Sequence, residues 1–212
     1  GLLASADPYH QAWVPPERLL LVRRLVYEIF GPRNFWGSSA GDDVITGYAA
    51  VMSHPDRARA HVRAHPPTMV GTAQRALARY MDPYDPRDPS LPKAGWRGVT
   101  TGANCLNQFQ ASTLWEIHID PYGNIQTNCG MILGRIPDTT PAEILARGPE
   151  NANAMVRLIC QEGPLALAEF AESRHGFIWP ERVSQTCELC FLARCHLRQF
   201  HPDIFGPAEV YT

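Results

Sequence analysis

The run Cys187-Glu188-Leu189-Cys190 carries the sharpest chemical signal in the chain. A Cys-x-x-Cys turn points two thiolates at one metal while nearby backbone N–H groups hydrogen-bond the sulfurs, so the pair reads as half of a four-thiolate site. Cys105, after Thr101-Gly102-Ala103-Asn104, and Cys129, just before Gly130, are the residues expected to complete the set, and Cys195 is a fifth candidate. Ordinary buried thiols or a redox pair are the competing reading of Cys187 and Cys190. Cys160 stands beside Leu158 and Ile159 in an apolar helical pattern and reads as a small core residue. Tetrahedral thiolate sets suit zinc and iron–sulfur clusters alike, so ligand type leaves the metal open.

Other polar groups are weaker signals. Ser5, Asp7 and His10 follow an apolar strand, at the strand end where a barrel places catalytic groups, and a capping or turn role explains them equally well. His118 and Asp120 have the i, i+2 spacing that puts them on one face of a strand, facing either a substrate or the solvent as a surface pair. His196 and His201 are expected either behind the metal ligands or as exposed helix histidines. No phosphate loop, dinucleotide fingerprint or nucleophile elbow is present in the sequence.

The elements that must position these residues follow from periodicity and breakers. Leu2 to Ala6 reads as a strand, and Pro15-Pro16 opens a helix in which Leu19, Val22, Val26 and Ile29 recur before Gly31-Pro32 ends it. Asn34 to Gly47 reads as a loop, Asp56 to Ala64 as a helix, and Thr68 to Tyr80 as a second, weaker β-α unit. The proline-rich stretch Asp82 to Pro92 reads as a linker, which puts a domain boundary at its end. Beyond it, Leu114 to Ile119 and Asn124 to Asn128 flank the turn Asp120-Pro121-Tyr122-Gly123, a β-hairpin with Cys129 at its end. Helices are expected from Thr140-Pro141, over Asn151 to Glu162, over Leu165 to Ser173 and after the cysteine pair.

With 212 residues and 45% hydrophobic content the chain can bury one good core or two small ones. A net charge of -2 offers no broad attraction for phosphate backbones or anionic lipid, so neither nucleic acid nor a membrane surface is expected as partner. No apolar run reaches the roughly 20 residues that cross a bilayer, and no secretory leader is visible, so the expected location is the cytoplasm. Six unevenly placed cysteines do not suggest a disulfide scaffold. The opening Gly1-Leu2-Leu3-Ala4 reads like the middle of a buried strand, so the sequence is expected to begin partway through a larger protein.

The segment from Ile117 through Asp120-Pro121-Tyr122-Gly123-Asn124 to Cys129, then Leu133-Gly134-Arg135-Ile136-Pro137 and Thr140 to Leu145, resembles the auxiliary-cluster region of radical S-adenosylmethionine (SAM) enzymes, called a SPASM or, when shortened, a twitch domain. Gly163-Pro164, the cysteine pair with Arg194, and the closing Gly206-Pro207-Ala208-Glu209-Val210-Tyr211 fit the same group. At the other end, Ser5-Ala6-Asp7 and the following Tyr9 to Arg18 resemble the end of the fourth barrel strand in such enzymes.

The resemblance implies an α/β fold, with the C-terminal β-α units of a partial TIM-type barrel over residues 1–92. A small α+β domain of hairpin plus helices, residues 93–212, would hold an auxiliary [4Fe–4S] cluster on Cys105, Cys129, Cys187 and Cys190. Ser5 and Asp7 would touch SAM. The implied activity is that of an oxidoreductase or maturase acting on a peptide or other natural-product precursor. The Cys-x-x-x-Cys-x-x-Cys motif needed to cleave SAM is absent, which places that chemistry in an N-terminal half lying before Gly1. Too few cysteines are present for two auxiliary clusters, and the long interval from Cys105 to Gly123 makes Cys105 the least secure ligand. The rival expectation is a non-catalytic zinc-binding interaction module built on the same cysteines.

Overall fold

Pro16 suits a first helical position, because its ring presets φ and its missing N–H has no partner to lose there. The computed structural model describes residues 2–4, 15–37, 53–64, 77–88, 105–106, 109–112, 117–127 and 130–211. It divides the chain into two units, Gly1–His65 and Pro66–Thr212. The boundary expected near residue 92 falls among residues outside the described set.

In the first unit, strand β1 (Leu2–Ala4), helix α1 (Pro16–Phe30) and strand β2 (Phe35–Gly37) follow one another. The strands pair in parallel, Leu2 opposite Phe35 and Ala4 opposite Gly37. Parallel neighbours require a crossover, and α1 provides it, so the expected β-α unit closes into β-α-β. Among the described residues this pair is the whole of the parallel sheet. β2 lies in the stretch read as a loop. Three residues are too few for an alternating pattern, so pairing with β1 defines the strand. Leu19 and Val26 are buried on α1 while Val22 and Ile29 are exposed, a narrower apolar stripe than the spacing suggests. Leu19 packs against Leu20 and Phe35. Helix α2 (Pro55–Ala64) buries Ala58 and Val62, four residues apart on one face.

The second unit builds outward from a turn. Asp120 accepts hydrogen bonds at Oδ1 from the Tyr122 and Asn124 N–H groups, both at 2.9 Å. Gly123, at φ +79°, takes the conformation that the reversal needs and that a Cβ would strain. The turn joins β3 (His118–Ile119) to β4 (Asn124–Gln126), and β5 (Ile132–Arg135) completes an antiparallel sheet with β4 in the middle. Ile119 faces Ile125, Ile125 faces Gly134, and the register shifts between Ile125 and Gln126. Central position explains burial, since all of β4 is buried while β3 is exposed.

Four helices follow: α3 (Pro141–Arg147), α4 (Ala154–Gln161), α5 (Pro164–His175) and α6 (Thr186–Leu197). Thr140 and Glu143 form a reciprocal capping box on α3. Asn153 caps α4 by accepting from the Val156 N–H at 2.9 Å, and its Nδ2 donates to the Ile132 carbonyl at 2.9 Å, fixing α4 on β5. Gly176 ends α5 in the left-handed region at φ +70°. Between sheet and helices lies one core that includes Phe109, Ile125, Ile144, Leu167, Leu189 and Phe205. Each such fully buried side chain contributes about 1.5–3 kcal/mol of transfer free energy.

The proline-rich stretch, over its described residues, is docked rather than extended in solvent. Tyr84 and Val183 exchange both backbone hydrogen bonds at 2.9 Å. Arg87 donates to Glu172 at 2.6 Å and lies 4.5 Å over the Trp179 ring. Prolines end regular elements without preventing a single bridge, and the partner of that bridge stands far along the chain where local composition cannot reveal it.

Candidate metal centre

Helix α6 positions the cysteine pair, and its first turn is built by a buried carboxylate. Gln185 occupies the N-cap, and its side chain does not cap the helix. Glu188, in the first turn, reaches back instead, accepting at Oε2 from the Ser184 N–H at 2.6 Å and from the Ser184 hydroxyl. Only 7% of Glu188 is exposed. A carboxylate there satisfies orphan donors and sits favourably at the positive end of the helix dipole. The turn that carries Cys187 and Cys190 is thereby pinned from between them.

Cys187 is half-buried and Cys190 is buried. Three residues apart on a helix, their Cβ atoms are neighbours at about 5–6 Å. Leu189, Cys190, Ala193 and Leu197 all belong to the core, and Cys187 is the more exposed of the two cysteines. Cys195 lies about 140° around the helix from Cys190, so the two do not share a face. Cys160 is buried in the core on α4, as expected.

Cys105 is buried and precedes Leu106, which with Phe109 packs on the same core as Cys190. Among the described residues no three His, Cys, Asp or Glu side chains gather to hold a metal ion, so Cys105 does not stand with the pair in that sense. Cys129, and the SAM-directed Ser5 and Asp7, lie outside the described residues, as does His10. The neighbour of Cys129 is described. Gly130 donates its N–H to the Thr127 carbonyl at 2.8 Å, and its own carbonyl accepts from the Tyr211 hydroxyl at 3.0 Å. Tyr211 stacks on Phe191, the residue after Cys190, with ring centroids 5.6 Å apart.

Three residues at this end of α6 were not singled out from sequence. Tyr84 is brought to the first turn by its pairing with Val183. Burial holds its phenol proton above the ordinary tyrosine range, a hydrogen bond with Thr186 works against that, and the charges of Glu188 and Cys187 add to the rise. Glu188 and Tyr211 are the other two. Burial of a glutamate between two cysteines has no local signature, and Tyr211 acts through a bond to Gly130 across 81 positions.

The histidine expectations resolve differently. Asp120 is occupied in its turn, accepting at Oδ2 also from Asn124 Nδ2 at 2.7 Å and Gln126 Nε2 at 3.1 Å, so the structural reading of that residue is the one observed. His118 is exposed on β3. His196 stands nine residues beyond Cys187, about 13 Å along the axis, too far to support its sulfur directly. It is half-buried, not exposed, and its Nε2–H donates to the His175 carbonyl at 2.8 Å. His175 lies 4.2 Å from Phe200 and 5.3 Å from His201 between ring centroids, within an aromatic cluster.

The donor chemistry fits a thiophilic metal or cluster at the start of α6: two thiols three residues apart on one helix, Cys187 half-buried and Cys190 buried. Comparison with protein-family models, curated proteins and solved structures finds no match to this chain.

Proposed function

We propose that this chain is the C-terminal part of a radical SAM oxidoreductase or maturase and holds an auxiliary [4Fe–4S] cluster. Cys187 and Cys190 are its first two ligands, and Cys129 and Cys105 supply the others. The observation that carries this reading is the pinned cysteine pair at the start of α6, Cys187 half-buried and Cys190 buried. Two further features support it. The Gly130 carbonyl beside Cys129 is bonded to Tyr211, which stacks on Phe191 next to Cys190, and Leu106, next to Cys105, packs on the core that includes Cys190. Thiolate sites are rarely complete without their metal, because binding is coupled to local folding.

The β-α-β unit of Leu2–Gly37 is the kind of element from which a partial barrel is made. Ser5 and Asp7 follow its first strand and are the residues proposed to touch SAM, with cleavage assigned to a preceding half that carries the missing motif. The bound cluster would serve in electron transfer or substrate placement. The substrate class, a peptide or other natural-product precursor, rests on the resemblance alone.

Anaerobic reconstitution of the chain with iron and sulfide tests the assignment. The expected result is brown protein with about four irons per chain, lost in C187S, C190S and C129S. Colourless protein that takes up a single zinc through the same cysteines would overturn the cluster and favour the zinc-binding interaction module. Absence of any metal uptake would leave a dithiol pair.

A further inference from the structure

We propose that Arg194 is the charge-compensating and positioning residue of the Cys187–Cys190 thiolate site, a role that rests on the function proposed above. Arg194 is only 1% exposed. It follows Cys190 by four residues and Cys187 by seven, and at about 100° per residue the three fall within a sector roughly 60° wide. Side chains on a helix lean toward its N-terminus, so the arginine leans toward the turn that carries the sulfurs.

Two aromatic faces hold the guanidinium. Its central carbon lies 5.5 Å from the Phe191 centroid and 5.7 Å from that of Tyr211. Nη1 donates to the Tyr211 hydroxyl at 3.5 Å, and that hydroxyl donates onward to the Gly130 carbonyl at 3.0 Å. The cation is therefore fixed between the helix and the segment that follows β4. A guanidinium stays ionised wherever it is buried. Metal-bound thiolates bring negative charge to the same helix face, and away from bulk water the attraction between them is stronger than at an exposed pair. Lysine would retain the charge but not the planar group set beside the stacked Phe191 and Tyr211 rings.

Cobalt(II) titration of the reduced chain, followed by its thiolate charge-transfer absorbance, provides the test. R194M is expected to bind about 10–100-fold more weakly than the unaltered chain, the usual loss when a group supporting metal ligands is removed. R194K should recover part of that affinity. Y211F, which keeps the stack on Phe191 and removes only the hydroxyl, should fall between R194K and the unaltered chain, and it serves if R194M does not fold. In reconstituted iron protein, R194M should lower the reduction potential, because the more negative reduced state loses its cation. Equal cobalt affinity and potential in R194M and the unaltered chain, even with a lower unfolding temperature of the metal-free form, would reduce Arg194 to a structural role. Failure of the unaltered chain to bind cobalt would remove the metal reading itself, and this inference with it.

Discussion

At its first turn α6 carries Cys187, Glu188 and Cys190, with Ser184, Thr186 and Tyr84 beside them; at its last turn it carries His196 among Phe177, Phe200 and the His175 carbonyl. The same core receives both ends, through Leu189 and Leu197 respectively. The first end ties a buried glutamate down with hydrogen bonds from Ser184, whereas the second uses imidazoles as flat packing pieces among aromatic rings. Burial alone therefore does not mark a site. What separates the ends is whether the polar groups gather hydrogen-bond donors around one carboxyl or pack ring against ring.

The comparison can be broken most severely at the packing end. Leu197→Ala removes a fully buried side chain and should cost about 2–5 kcal/mol in urea unfolding, while the cysteine pair keeps its metal under native conditions. Loss of metal at unchanged fold would show that the two ends are not separable. Glu188→Ala strikes the other end, leaving the Ser184 N–H and hydroxyl without their acceptor, and should cost about 1–3 kcal/mol. Glu188→Gln, which keeps one acceptor oxygen and removes the carboxylate, should lose less, and no loss at all in that variant would show that an acceptor suffices and the carboxylate is dispensable.

A smaller effect, visible in the pH profile, sharpens the contrast. Desolvation, with the neighbouring His201, His196 and Arg174 charges, holds the His175 pKa below its ordinary value of 6.5. The unfolded chain therefore binds this proton more readily than the folded one. Stability is complete above about pH 6.5 and declines as pH falls from there toward the folded value. Unfolding midpoints measured across that interval should slope downward with acid, and His175→Gln should flatten part of the slope. Glu143 and Glu209, held below the usual carboxylate value of 4.5 by hydrogen bonds, add their losses at lower pH, which keeps the two intervals distinct.

Local rules made much of this unit legible. Thr140-Pro141 with Glu143 reads directly as a helix start and Asp120 through Gly123 as a turn, while the helix expected after the cysteine pair begins before it, at Thr186, and carries the pair. What escaped was set by distant partners. β2 and β5 are too short to show periodicity and exist because β1 and β4 pair with them. The docking of Tyr84 on Val183, the burial of Glu188 and the path from Arg194 through Tyr211 to Gly130 all join segments whose types say nothing of one another. The proposed ligand set is legible to the same degree: the Cys-x-x-Cys spacing announces a pair, while the identity of its companions depends on long-range chain folding.

The bridge between Tyr84 and Val183 also has a kinetic side. It closes a loop of roughly 100 residues, and the entropic cost of closure grows by only about 0.6 kcal/mol for each doubling of loop length. Contacts of such high contact order nevertheless form late, after the hairpin and helices inside the loop have assembled. On a growing chain, residue 84 must wait for residue 183 to be synthesised before the entrance to α6 can be covered. Val183 precedes Cys187 by only four residues, so the bridge and the thiols of the α6 entrance are completed by the same late stretch of chain.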